Sequence, residues 1–457
     1  MADTGRDYLE EFDRADEKDR YPLVQKWIRD EPLPFFKQLR KERPVLETPE
    51  CTLVANFTDV RDMLQMPKIF TVDLYKPKMG VTGPDDGYLM AHDDDALHYR
   101  EKSLMQGVLN RKDLPRVRKM VGETAARLLE EAGGRIEFVN DYCRMVPVYL
   151  VQDYFGLNGI DREKLIEWSY WNQYDAFNNQ PFDMLTDQEH SKIVEMHDKA
   201  SEELVAYIAS LIVRRVLRVK TMDLFYMVLS PVQKLIYRLI GMSEPERHED
   251  MVTRMVRSKF AKSADFPITR VGLNAGGLLI GAVETTSQAV AQIVQFFLDR
   301  PDLLKQVKDK ARGSDVAAFD AMVWEALRFV PIRPDIFRIS AADYTIAKGT
   351  GHETKIKSGT IVRLLILSAM FDPYAYDRPD EFDPDRTFDH NFAFGFGQHE
   401  CLGKYVGMEM IPEMVRQAVL LDDLRTDDRI SYRKDMFPDR DGPFPEHYDI
   451  SWTPAGA

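Results

Sequence analysis

The 457-residue chain carries 44% apolar and 30% charged side chains, a formal net charge of -14 and three cysteines. That apolar fraction excludes a disordered, collagen-like or polytopic membrane chain. The acidic balance excludes nonspecific binding to nucleic acid or anionic lipid, which needs a basic face, and Cys51, Cys143 and Cys401 offer neither a disulfide framework nor zinc-ligand spacing.

In chain order, residues 1–20 are mostly polar and acidic, with no apolar run after a basic start. They are expected to form a disordered N-terminal segment of a cytoplasmic protein without signal peptide or anchor, ahead of one domain over 21–457. Periodic apolar spacing predicts helices over 35–42, 96–109, 114–132, 141–156, 188–217, 248–260, 268–299 and 317–329. Within 167–183, Trp168, Tyr170, Trp171, Tyr174, Phe177 and Phe182 are interleaved with Asn172, Gln173, Asn178, Asn179 and Gln180. The mix suits either a seat for an amphipathic ligand or a helix end packed on its neighbours. Further on, Ser230 suits an N-cap, Pro231 a first helical position and Gly241 a stop. Val232, Leu235, Ile236, Leu239 and Ile240 would form one apolar stripe there, either core-packed or docking to a partner or membrane surface through 222–242.

The apolar stretch 273–298 approaches membrane length, but Glu284, Thr285, Thr286, Ser287 and Gln288 interrupt its middle, which predicts a helix through a protein core. Strand-like runs fall near 51–55, 335–339 and 361–366, and the segment 371–391 is coil punctuated by Pro and Asp. The fold class is mainly α with a small β part.

Residues 394–403 read Phe394-Gly395-Phe396-Gly397-Gln398-His399-Glu400-Cys401-Leu402-Gly403, with a periodic apolar run from Val406 to Val419 just after. A sulfur at a helix N-terminus is favoured as thiolate by unsatisfied N–H groups and the helix dipole. Cys401 is therefore a nucleophile, a metal ligand or an inert cysteine in a glycine-rich turn.

Phe394, Gly395, Gly397, His399, Cys401 and Gly403 match the defining positions of the haem-ligand signature of the cytochrome P-450 superfamily, which the chain resembles over about 30–450. The resemblance implies the P-450 fold, a single haem-enclosing domain, with Cys401 as the thiolate ligand of the iron of haem b. It places His399 near a propionate, Phe394 on the sulfur side of the haem, and Gly403 in the same cofactor-binding loop. Arg338 would serve one propionate and His98 with Lys102 the other, lysine keeping the charge of the usual arginine but losing its bidentate geometry. Glu325 and Arg328, with Arg386 from Asp377–Arg386, resemble a structural salt-bridge trio that holds the haem loop.

Gly281-Ala282-Val283-Glu284-Thr285-Thr286 resembles the oxygen-activating segment. The helix is expected to widen there. Thr285 would supply a hydroxyl at the oxygen site, Glu284 would relay protons from solvent, and Ala282 would add a methyl where relatives carry glycine. Arg333, Ile336, Gly277 and Gly281 are substrate-pocket candidates, Arg333 either pairing a substrate carboxylate or folding back to Asp335 or a propionate.

The implied activity is insertion of one oxygen atom from O2 into an organic, amphipathic substrate. Electrons would come from NAD(P)H through a reductase and a separate ferredoxin or flavodoxin, docked on a basic patch including Arg111, Lys112 and Lys404. The alternatives are a haem-thiolate isomerase, dehydratase or peroxygenase, and a non-enzymatic haem-binding sensor. The Glu284–Thr285 pair speaks against them.

Overall fold

The computed structural model describes residues 5–239, 248–257, 266–434, 436–437 and 440–454, with backbone alone over 223–239. Its centre is the helix Ile268–Leu298, about 46 Å long at 1.5 Å per residue. No proline interrupts it, and residues are buried all round it, including the polar Arg270, Asn274, Glu284 and Gln288, as expected of a core helix. Helices Arg162–Asn178, Asp187–Leu239, Val316–Phe329 and Lys404–Val419 pack against it. Glycine lets neighbours close in: a Cβ at Gly272 would lie 3.1 Å from Ile212, and one at Gly276 3.2 Å from Ile208.

A five-stranded sheet flanks the helices in the order β1 (Val45–Glu47), β2 (Thr52–Val54), β5 (Ile361–Leu364), β4 (Ile336–Ser340), β3 (Phe70–Thr71). β2 and β5 run parallel and the other pairs antiparallel, with Ile336 opposite Leu364 and Arg338 opposite Val362. The two hydrophobic cores are a large one between the helices and a smaller one that joins this sheet to the N-terminal helices.

Two expectations are corrected. Residues 5–20 are not disordered: helices Tyr8–Arg14 and Glu17–Asp30 start the fold, and Tyr8, Leu9 and Phe12 are buried. The polar composition masks a single apolar stripe, which packs on Trp27 and Phe35 while Arg6 bridges Glu11 and Glu31 at 2.8 Å each. No new helix begins after Ser230, because Asp187–Leu239 runs through Pro231 as one helix. The stop at Gly241 and the end of the 222–242 stripe lie outside the described residues. Of the two readings of 167–183, the buried positions of Trp168, Tyr170, Trp171 and Tyr174 in Arg162–Asn178 match the packing one.

Candidate active site

Two tight turns build the cysteine loop. Gly395 and Gly397 adopt φ of 70° and 69°, and a Cβ on Gly397 would come within 2.8 Å of the Leu64 carbonyl, so glycine is required there twice over. The Cys401 N–H donates to the Phe394 carbonyl at 2.8 Å, closing the loop just before Lys404–Val419 begins. Phe394 is fixed by Trp324 (ring centroids 5.6 Å apart) and by close approach to Gly407. The Cys401 side chain is accessible, whereas Cys51 and Cys143 are buried core residues, burial pushing the Cys51 thiol up to about 11. Low-dielectric surroundings also push the Cys401 thiol up, against the Gly403 N–H and the Lys102 ammonium. The helix terminus alone therefore does not make it a thiolate, whereas a coordinated metal cation deprotonates such a sulfur outright.

Beneath the loop, Glu325 and Arg328 form a buried bidentate pair at 2.6 and 2.9 Å, and Arg386 approaches Glu325 at 3.4 Å. Arg328 also donates to the carbonyls of Met370, Pro379 and Glu381, and Arg386 to those of Asp377, Arg378 and Glu381. This trio staples the coil 370–386, which has few backbone hydrogen bonds of its own.

Buried cations and imidazoles converge beside the cysteine loop. Arg338 is buried, the one side-chain hydrogen bond of its guanidinium among the described residues running to the Phe337 carbonyl at 2.8 Å, and burial pulls that group below the usual range. His98 is fully buried with Nδ1 on the Leu89 carbonyl at 3.0 Å and Nε2 without a partner. Its ring lies edge-on to His399 at 5.1 Å, and His399 Nε2 meets Asp93 at 3.1 Å. Burial holds His399 down to about 4, opposed by Asp93. Lys102 departs from expectation: its ammonium binds the carbonyls of Gln398 and Glu400, so it clasps the cysteine loop. The donor set of one accessible sulfur, a buried arginine without a carboxylate partner among the described residues, and an orphaned imidazole nitrogen fits an iron porphyrin: sulfur for the metal, cationic and N–H groups for the propionates.

The opposite wall is the long helix. Between 277 and 285 the accessible or half-buried residues are Gly277, Ile280, Gly281, Ala282 and Thr285, and 277, 281 and 285 share one face at four-residue steps. Thr285 Oγ1 donates to the Gly281 carbonyl at 2.7 Å. The helix stays regular through this segment, without the expected widening. Glu284 points away into a buried ionic cluster. Its carboxylate takes three contacts of 2.9–3.1 Å from Arg144. Arg144 also approaches Glu446 at 3.6 Å, which accepts from the Tyr170 hydroxyl at 2.6 Å and pairs with half-buried Lys434 at 3.3 Å. Burial pushes the Glu284 carboxyl up, and Arg144 opposes this.

Sequence reasoning missed Arg144 and Glu446, which come from segments 140 residues before and 162 residues after Glu284 and share no motif with it. It also missed Tyr88, whose ring occupies the space a Cβ on Gly277 would need, 2.2 Å from that position. A buried pair between Glu101 and Arg270 holds this contact, since Arg270 Nη1 also donates to the Gly87 carbonyl at 2.8 Å. The tyrosine hydroxyl has no hydrogen-bond partner among the described residues, and burial above all, with Cys401 and Glu101, pushes it above the usual phenol range. A tyrosine next to the glycine-rich 80–87 turn was the one available signal. Arg333 folds back to Asn178 Oδ1 at 2.7 Å and Asp335 at 3.8 Å, capping Arg162–Asn178. Ile336 is half-buried on the strand Ile336–Ser340.

A family model described as cytochrome P450 matches residues 173–416. Pulcherriminic acid synthase of Bacillus subtilis is 25% identical over 425 residues, covering 88% of this chain and 90% of that protein. A steroid C26-monooxygenase of Mycobacterium tuberculosis is 22% identical over 401 residues, covering 85% of this chain and 86% of its own length. The crystal structure of CalO2 superposes with a TM-score of 0.72 at 20% identity, over 94% of this chain and 98% of that one. No helix among the described residues is long and apolar enough to cross a membrane.

Proposed function

This chain belongs to the cytochrome P450 family and is a monooxygenase, and we propose that it oxidises an organic, mainly apolar substrate bearing a hydrogen-bond acceptor, with electrons from a separate ferredoxin or flavodoxin and its reductase. The observation that carries the substrate class is the unpartnered Tyr88 hydroxyl, seated on Gly277 two helical turns before Thr285. The amphipathic character first ascribed to 167–183 moves to this residue, since those aromatics are core.

Haem, when bound, supplies dioxygen activation through a thiolate-ligated iron. Cys401 would hold it, Arg338 and His98 would take its carboxylates, and Lys102 would keep the cysteine loop in place. Thr285 keeps a hydroxyl on the accessible face, with its proton on the Gly281 carbonyl until another acceptor competes. Glu284 exchanges protons from a buried position, and Arg144 sets how readily its carboxylate leaves the ion pair. Glu446 and Lys434 extend that cluster toward solvent. Tyr88 would orient the substrate by donating to its acceptor, and the Glu101–Arg270 pair holds Tyr88 in place.

For the redox partner, Arg111 lies 3.9 Å over the Tyr405 ring and Lys112 is exposed, while Lys404 is tied to Glu400 at 2.7 Å. The docking patch therefore rests on Arg111 and Lys112, and its affinity should fall with salt. Incubation with NADPH, ferredoxin or flavodoxin and reductase tests the reading. Oxygenated product should require all of them together with O2. Turnover without electron donors would instead indicate an isomerase or dehydratase, and turnover with hydrogen peroxide alone a peroxygenase.

A further inference from the structure

Exposed large apolar side chains are scattered over this protein except on one helix. On Asp187–Leu239, Val205, Val213 and Leu217 are 68%, 60% and 59% exposed, more than any other described large apolar residue but Tyr374. With Ala209 they stand at four-residue steps, so they form one continuous stripe on the outer face, opposite the side packed on the long helix. Ala206, Ala209 and Ser210 keep the middle of the stripe low enough for close approach by another helix. Exposed Glu202 caps one end of the stripe and exposed Lys220 the other, and neither forms an ion pair among the described residues.

The stripe reads the same from both ends about position 211: Glu202 mirrors Lys220, Val205 mirrors Leu217, and Ala209 mirrors Val213. A helix with this pattern is complementary to an antiparallel copy of itself, which is the requirement for a two-fold isologous interface. We infer that the outer face of 202–220 is the dimer interface of this protein, pairing two copies antiparallel, with Glu202 of each facing Lys220 of the other. The charge pattern selects a second copy over lipid: exposed Glu195, Asp198 and Glu202 stand at one end of this helix face and exposed Arg214, Arg218 and Lys220 at the other, a separation that an antiparallel copy matches with opposite charge at both ends and a uniformly anionic headgroup layer does not. The contact spans about 27 Å of one helix. That is small beside the roughly 800 Å² per partner of a standard interface, so a reversible, concentration-dependent dimer is expected.

Sedimentation velocity of the haem-loaded protein over a wide concentration range tests this. Wild type should pass from monomer to dimer as concentration rises. Ala209→Glu, which places a buried acid at the centre, should weaken association at least tenfold while leaving the ferrous carbonyl spectrum unchanged. Lys220→Glu should weaken it several-fold, and adding Glu202→Lys in the same chain should restore it, a rescue that a merely disruptive surface change would not give. A monomer at every concentration, or a dimer indifferent to all three variants, overturns the inference. So does binding to phosphatidylcholine–phosphatidylglycerol vesicles that Ala209→Glu abolishes, which would make lipid the occupant.

Discussion

The two sides of the site are held in different ways. Below, the cysteine loop is fixed by backbone: two left-handed glycines, a Cys401–Phe394 hydrogen bond and carbonyls gripped by Lys102, while Arg328 and Arg386 grip the carbonyls of the coil before it. Above, the wall is a regular helix whose chemistry depends on side chains brought from elsewhere, Arg144 and Glu446 to Glu284, Tyr88 to Gly277. Backbone restraint needs particular residues at particular spacings, so it leaves a motif. Side-chain restraint needs only that some group arrive with the right charge, so it leaves none. The lower side should therefore fail all or nothing under substitution, and the upper side by degrees.

The largest expected effect is on the lower side. Cys401→Ser should abolish the red-shifted Soret band of the ferrous carbonyl complex. A retained band would place the iron on another ligand and remove the basis of the comparison. Next, Arg328→Leu strands Glu325 in the core and frees three carbonyls, which should cost about 3–5 kcal/mol in denaturant unfolding with loss of haem content. A cost near that of an exposed pair would mean the staple is not what holds 370–386.

On the upper side, Arg144→Leu removes the group that opposes the rise of the Glu284 carboxyl. A carboxyl raised in the folded state binds more protons there than in the unfolded chain, so its contribution to stability falls as pH rises above the unfolded value. The variant should thus stay nearest to wild type near pH 5 and lose stability steadily toward pH 8, and its turnover should show more oxygen consumed per product. A pH-independent deficit would argue that Arg144 packs without setting the charge of Glu284. Tyr88→Phe is the smallest change. It deletes one hydroxyl, worth about 1 kcal/mol, or roughly fivefold in affinity. Spectral titration with 1-phenylimidazole and its para-acetyl derivative should show the preference for the carbonyl compound lost, with the parent compound unaffected. Equal effects on both would remove Tyr88 from the substrate-orienting role.

Reading the chain without its structure located the groups that work through sequence-local geometry. The glycine-bounded turn of Cys401 and the Glu325–Arg328 step along one helix have local signals, while Gly277, Gly281 and Thr285 were expected from the resemblance. Local signals also mark the long helices, whose apolar period is strong. Two errors came from averaging: a polar N-terminus hid the Tyr8–Phe12 stripe, and a good cap at Ser230 was overridden by helix continuing through Pro231. Lys102 stood at the expected position but grips the loop carbonyls.

The resemblance to the family, carried by the glycine-bounded Cys401 turn, and the helical scaffold were thus legible along the chain, because hydrogen-bonded turns and helix faces are properties of neighbouring residues. The partners of Glu284, the tyrosine over Gly277 and the contact of Arg333 with Asn178 emerged only once the chain was packed, whereas the fold-back of Arg333 onto Asp335 was one of the expected alternatives. A buried charge or an open hydroxyl takes whatever group the fold delivers within about 3 Å, and residues 140 or more positions apart carry no local sign of that meeting.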